Sequence, residues 1–360
     1  MQLKLDPDIS YAIALEGGGA KGAYEVGVWR ALQEAGIRFC AVSGTSVGAL
    51  NGAMMVMGDL DKAVSVWRDI RLSNVINLEG MDEEEFRRII GGNFELSQLH
   101  EVLPKVFDII RAGGLDVAPL RAWVREVVDA GAIQSSDIPL FICTVSLSDR
   151  RGLEVKVNDL PENELYDMLL ASSYHPTFRQ APLGGKYYTD GGMIDTLPLH
   201  VLVENGYKDI LAVRIPGHGL ERRFRLPEDV NVTYISTRSD LGSVLNFSPE
   251  QARRDMEIGY WDAQRVLYGL VGNKYYVNRT MQDRDALNLL LRRAPAGVSL
   301  RRYCEVLLPG MARRLGVSEG DYFEIWLALT EELAQAKGLE TLKLYTDWDL
   351  QKAVESLTVQ

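Results

Sequence analysis

The pentapeptide Gly44-Thr45-Ser46-Val47-Gly48 constrains this chain more than any other feature, because it stands where an apolar run ends and a helical pattern begins. Residues 39–42 read as the end of a buried strand, and Leu50, Met54 and Met57 then recur at helical spacing. A sharp strand-to-helix turn forces its central serine into strained backbone geometry with the hydroxyl exposed. Gly44 and Gly48 leave the neighbouring chain room to pack. Ser46 is therefore a candidate nucleophile, and the helix it opens offers a positive dipole end and free N–H groups. Structural turns also match G-x-S-x-G, so its weight depends on what surrounds it.

A second glycine cluster, Gly17-Gly18-Gly19-Ala20-Lys21-Gly22, follows another apolar strand-like run that begins at Tyr11. Behind it Tyr24, Val28, Leu32 and Ala35 make an apolar helical face, with Gly36 as the stop. Gly17, Gly19 and Gly22 satisfy G-x-G-x-x-G, but a dinucleotide site also needs an acidic residue at the end of the next strand. That strand ends in Ala41-Val42-Ser43-Gly44, with no carboxylate. A P-loop fits less well, since Lys21 is followed by Gly22 where Ser or Thr is required. The better account is an oxyanion hole, with the dinucleotide site as the minority reading: successive glycines expose backbone N–H groups beside Ser46. Lys21 is read either as added positive charge or as a solvated lysine at a helix start.

The third element is the run from Tyr187 to Asp190, an aromatic strand-like stretch that ends in Asp190-Gly191-Gly192. Asp-Gly pairs commonly mark hairpin turns. Here an apolar stretch enters a helix through Pro198, so a simple hairpin fits poorly, and an aspartate at a strand end can reach a nucleophile on a neighbouring strand.

With these three motifs in order, the chain resembles the patatin-like phospholipases: Gly17 to Gly22 as the oxyanion loop, Ser46 in G-x-S-x-G, and Asp190 in D-G-G. Ala171-Ser172, with Pro176 four residues on, resembles the family's Ala-Ser-x-x-x-Pro segment. The resemblance covers roughly residues 8–215. It implies a three-layer α/β/α core with a mostly parallel central sheet and a Ser46–Asp190 dyad that cleaves lipid esters. Where many bacterial members carry paired asparagines before the following proline, this chain has Asp195 and Thr196, which changes what can support the Asp190 loop.

A dyad leaves the histidines without a required role. His200 falls on a helical pattern at 197–203 and reads as structural; His218, in a Pro-Gly-His-Gly turn, keeps a Ser-His-Asp triad open as an alternative. His175 precedes Pro176 in the stretch before Asp190, from which it can line the pocket, but no sequence feature makes it a base; His100 reads as surface. In a dyad Asp190 must act as the general base itself, which favours a carboxylate partly shielded from water.

The 360 residues allow a large domain with an appendage, and 46% apolar content is ample for a core. No apolar run reaches bilayer-spanning length, and residues 1–8 lack a signal segment. Cys40, Cys143 and Cys304 show neither metal spacing nor a disulfide framework, so a reducing cytoplasm is the expected compartment, with peripheral membrane contact. A formal net charge of −11 argues against nucleic acid and against electrostatic capture by an anionic membrane. Contact with lipid then depends on apolar surface, for which Trp67, Leu72, Val75, Ile76 and Leu78 are candidates that fit a core equally well. Residues 77–130 read as a lid or as ordinary helical cover.

Further strands are expected at 138–145, 154–157, 186–188, 210–215 and 232–236, interleaved with helices in the manner of a doubly wound sheet. After Asp240 helices dominate, at 249–270, 281–291, 300–315, 318–336 and 347–357, with a short strand-like run at 275–277 and a break at Val271-Gly272-Asn273. The expected organisation is a catalytic domain over 8–215, its continuation and a connecting helix over 216–279, and a C-terminal helical region over 280–360. That last region is read as partner-binding or as packing for the core. The expected substrate is a lipid ester met at a membrane or micelle surface, with no metal and no organic cofactor. A lipid- or nucleotide-binding module without turnover is the alternative of another class.

Overall fold

The computed structural model describes residues 1–78, 81–86, 109–217 and 219–356. Its contacts divide the chain into two compact units, residues 5–263 and residues 1–4 with 264–360. The larger unit alternates strands and helices: β1 Ser10–Leu15, α1 Ala23–Glu34, β2 Arg38–Thr45, α2 Val47–Met57 and α3 Leu60–Asp69. After α4 Ala118–Val127 and α5 Ala130–Gln134 come β3 Leu140–Ser146, β4 Arg151–Lys156 and α6 Glu162–Ser172. The short β5 Tyr188–Asp190, α7 Leu199–Glu204, β6 Asp209–Arg214, β7 Asn231–Ser236 and α8 Pro249–Tyr268 follow.

The strands form one seven-stranded sheet in the order β4-β3-β2-β1-β6-β7, with β5 also paired to β3. The β1–β2, β1–β6, β2–β3 and β6–β7 pairs are parallel, whereas β3–β4 and β3–β5 are antiparallel. Strands covered on both faces must be apolar at every position, which is why Tyr11 through Leu15 are all buried. One face of the sheet, including Ala12, Ala14, Ala41 and Ala212, packs with Leu199 and Leu202 of α7. Close contacts of α2 with β1, β2 and β3 cover the other face. The result is a three-layer α/β/α core with a mostly parallel sheet.

Trp67, Leu72, Val75 and Ile76 are buried core residues and Leu78 is half-buried, so the apolar stripe after α3 faces inward. An apolar helical stripe looks the same in sequence whether protein or lipid covers it.

In the smaller unit a parallel pair, β8 Tyr276–Asn278 with β9 Leu344–Thr346, lies with α9 Asp283–Arg292, α10 Leu308–Leu315, α11 Tyr322–Ala336 and α12 Asp347–Ser356. Its core gathers Tyr275, Val277, Leu290, Phe323, Trp326 and Leu350. The helix expected over 300–315 is broken by a π turn at Tyr303–Leu307. Pro309 has no N–H for the Glu305 carbonyl and its ring crowds that turn, which widens it. The unit begins ahead of the break marked in the sequence because its own members hold the last turns of α8. Lys4 N–H donates to the Leu267 carbonyl at 2.7 Å, and the Arg265 guanidinium lies 4.3 Å from the Tyr276 ring centre.

Candidate active site

Ser46 leads α2 with φ 54° and ψ −123°. Among the described residues only Arg150 shares a positive φ outside glycine. Such geometry costs on the order of 1–3 kcal/mol and persists where packing over-determines it. The flanking glycines show how tight that packing is. A Cβ on Gly44 would lie 2.3 Å from the Gly48 carbonyl oxygen, and one on Gly48 would lie 2.5 Å from that of Leu15. The Ser46 N–H donates to Ser172 Oγ at 2.9 Å, and Ser172 Oγ donates to the Cys143 carbonyl at 2.7 Å. This gives the Ala171-Ser172 segment a physical task that its sequence did not reveal: it ties the elbow to β3.

Strand pairing explains how a distant aspartate reaches this serine. Strand β4 occupies one edge of β3 from Phe141 to Ser146. On the opposite edge β2 pairs from Leu140 to Cys143, ending with Thr45 opposite Cys143. Strand β5 continues along that same edge, with Asp190 opposite Thr144. Ser46 and Asp190 therefore leave two strands that meet end to end. The neighbouring Ser46 hydroxyl and the Gly192 N–H, which donates to Asp190 Oδ1 at 2.7 Å, both favour the ionised Asp190 carboxylate. Burial is the larger effect and pushes the carboxyl up to about 6. The strand here is Tyr188–Asp190, two residues beyond its expected position, because pairing with β3 sets its limits. Gly191 and Gly192 form the turn behind it.

The glycine loop lies against the same serine. Gly17 N–H is engaged with the Thr196 carbonyl at 2.9 Å, and Ala20 N–H with that of Val244 at 2.8 Å. Among the described residues the N–H groups of Gly18 and Gly19 have no acceptor, which narrows the expected three donors to two. Gly19 has φ 57°, and a Cβ there would lie 2.3 Å from the Val244 carbonyl oxygen. Gly22 closes this turn and its carbonyl accepts from Asn51 on α2. Lys21 donates to the Pro216 carbonyl and is absent from the cavity wall. Its charge fastens the loop to the turn after β6.

Gly17, Gly18, Gly19, Ser46 and Asp190 all border one cavity of about 240 Å³. The rest of the wall is mainly apolar, with Leu50, Trp67, Ile70, Phe178 and Phe247 among its members. The described part of the 77–130 segment contributes Leu115, Leu120 and Trp123; residues 79–80 and 87–108 of that segment lie outside the described residues.

Asp195 and Thr196 support the Asp190 loop by other means than paired asparagines. Thr45 Oγ1 donates to the Asp195 carbonyl at 2.9 Å. The Asp195 carboxylate lies 2.7 Å from His200 Nδ1, and His200 Nε2 lies 2.7 Å from Glu154. Burial disfavours a charged imidazole here, but the bonds to Asp195 and Glu154 outweigh it and raise the His200 pKa. Glu154, His200 and Glu204 offer ligand atoms within 4.8 Å of one another. The Arg222 guanidinium already bridges the two glutamates, at 2.9 and 3.8 Å, and supplies the cation such a site would hold. Both His200 nitrogens are committed away from Ser46. His175 lines the cavity, with Nδ1 2.9 Å from Thr177 Oγ1. His218 and His100 lie outside the described residues.

A serine on a strand-to-helix elbow, a buried carboxylate and a glycine loop thus border one apolar cavity in an α/β protein and make up its candidate site. The chain belongs to the patatin-like phospholipase family, whose profile matches residues 13–203. It is 25% identical to the neuropathy target esterase sws of Drosophila melanogaster over 206 residues, which is 57% of this chain and 13% of that protein. It is 26% identical to lysophospholipase NTE1 of Mycosarcoma maydis over 208 residues, 58% of this chain and 10% of that protein. The chain thus spans about an eighth or less of these relatives. Among solved structures it is similar to VipD from Legionella pneumophila, with a TM-score of 0.44 and 15% identity, over 97% of this chain and 83% of that one. Among the described residues no helix is long and apolar enough to cross a membrane.

Proposed function

We propose that the protein is a lipid acyl hydrolase that uses Ser46 as nucleophile and Asp190 as general base. The observation that carries this reading is a strained elbow serine and a buried carboxylate, at the ends of two strands that meet on β3, bordering one apolar cavity. Asp190 takes the Ser46 proton as Oγ attacks the ester carbonyl. Burial suits the carboxylate to this, because a raised pKa makes it a stronger base near neutral pH. The developing oxyanion faces the Gly18 and Gly19 N–H groups and the amino end of α2. Collapse of the tetrahedral adduct expels the alcohol, which collects the proton from Asp190. Water then attacks the acyl-serine with Asp190 again as base, and the fatty acid leaves. The acyl chain lies along the apolar wall, where its burial supplies about 0.8 kcal/mol per methylene.

Two relatives carry the names esterase and lysophospholipase, and ester hydrolysis on a lipid is the class they suggest for this chain. A fluorophosphonate probe should label the wild-type protein at Ser46, and the protein should cleave a chromogenic acyl ester. Absence of labelling, or labelling that persists in Ser46→Ala, overturns the reading.

A further inference from the structure

The rim of the cavity carries a surface whose charge opposes that of the whole chain. Residues 219–226, Gly-Leu-Glu-Arg-Arg-Phe-Arg-Leu, run beside the Asp190 turn: Leu220 N–H donates to the Gly192 carbonyl at 2.9 Å, and Thr196 N–H donates to that of Leu220 at 2.7 Å. The two segments together expose Met193 (50%), Ile194 (39%), Leu220 (63%), Phe224 (37%) and Leu226 (39%). Met193 also lines the cavity, so the apolar patch is continuous with the site. Arginines interleave with it. Arg222 is paired with Glu154 and Glu204, while Arg223 and Arg225 are exposed and have no ion pair among the described residues. The neighbouring acids are mostly engaged: Glu221 pairs with Arg214 at 2.6 Å and Asp229 with Lys208 at 2.7 Å, leaving Glu228.

Resting on the hydrolase reading, we infer that Met193, Ile194 and residues 220–226 dock the cavity mouth onto an anionic bilayer. A net charge of −11 predicts repulsion from such a surface. Screening decides between the two, since the Debye length is about 8 Å at physiological ionic strength. A bilayer touching this rim meets Arg223 and Arg225 at contact distance and the distant acidic surface only through screened fields. Exposed apolar side chains between cations are the composition of an interfacial anchor, with the apolar groups entering the headgroup region and each arginine adding about fivefold in partitioning. Docking there places the half-exposed Met193, and the apolar cavity behind it, against the acyl chains.

Flotation of the Ser46→Ala protein with vesicles tests this without hydrolysing them. The protein should float with phosphatidylcholine vesicles containing phosphatidylglycerol, less with phosphatidylcholine alone, and less in high salt. Arg223→Glu with Arg225→Glu should lower partitioning at least about 25-fold, and Leu220→Ser should lower it on both vesicle types. In the Ser46 background these variants should hydrolyse a soluble monomeric ester at the unmodified rate, which also reports that they are folded. Equal flotation of the arginine variant, or no flotation of the parent, overturns the docking surface, as does a saturable protein partner at this face without vesicle binding. Vesicle binding by a protein whose wild type cleaves no ester sinks the hydrolase reading and leaves the surface standing.

Discussion

Thr45 and Asp190 stand opposite consecutive residues, Cys143 and Thr144, on the same edge of β3. Strands β2 and β5 thus meet end to end along one template strand, and the side chains that leave their tips converge. The register of two ladders sets this convergence, so the pair is as rigid as the sheet. Ser172 reinforces it, because its hydroxyl bonds both to Ser46 N–H and to the same Cys143 carbonyl.

If Ser46 and Asp190 act as one unit, their losses will not add. Ser46→Ala and Asp190→Asn should each lower kcat/KM on the order of a thousandfold or more, and the double variant should be no worse than the poorer single. Losses that multiply in the double variant would mean that the two act independently.

The pH profile should report Asp190. A base must be ionised, so kcat/KM should rise with pH through about 6, the value to which burial pushes this carboxyl, and His175→Ala should leave that inflection in place. Stability runs the opposite way. A carboxyl with a raised folded pKa contributes fully below its ordinary value of 3.8 and loses that contribution as pH climbs through about 6. The shift corresponds to about 3 kcal/mol. Asp190→Asn should therefore melt higher than wild type at pH 8, with the gain vanishing near pH 4. An inflection that moves with His175 assigns the base elsewhere.

Much of this site could be read in the chain because each motif asks for a residue type at the end of a strand. Gly17 to Gly22, Ser46 and Asp190 stand out for that reason, and the parallel strands stand out as apolar runs. What could not be read depends on partners far away in sequence. The Gly17 N–H is engaged only because the Thr196 carbonyl faces it, and Ser172 matters only because the elbow and β3 converge on its hydroxyl. Strand β9, three residues directly ahead of a helix, has no periodicity to reveal it; its pairing with β8 makes it a strand. The core position of Trp67 was equally hidden, since amphipathicity marks an apolar face without saying what covers it.

Ser172 should behave as a positioning residue. Ser172→Ala leaves the Ser46 N–H without its acceptor, a loss typically worth about 1–3 kcal/mol when buried. The elbow should loosen and kcat should fall about tenfold while KM changes little. Ser172→Thr keeps the hydroxyl and should recover part of the loss. An unchanged kcat in the alanine variant, with its melting temperature lowered, would leave Ser172 a role in stability alone.

The glycine loop separates the two free donors by what a methyl group meets. At Gly19, φ 57° is a left-handed conformation that alanine adopts at a cost of about 1 kcal/mol or more, and its Cβ would lie 2.3 Å from the backbone oxygen of Val244. The loop must shift to relieve that clash, and it carries both free N–H groups away from the developing charge. Losing one oxyanion donor costs roughly 3–4 kcal/mol, a factor of 10²–10³ in kcat. Gly18 differs. A Cβ there meets the Cδ1 tip of Ile215 at 2.9 Å, and that side chain can turn aside. Gly18→Ala should therefore keep far more turnover than Gly19→Ala, and Gly18→Ala with Ile215→Val should recover most of the remainder. Calorimetric titration of the unmutated protein with NAD should give no heat of binding. If Gly19→Ala turns over normally while Gly18→Ala does not, the donors are set differently from the arrangement described; if NAD binds tightly, the loop serves a nucleotide.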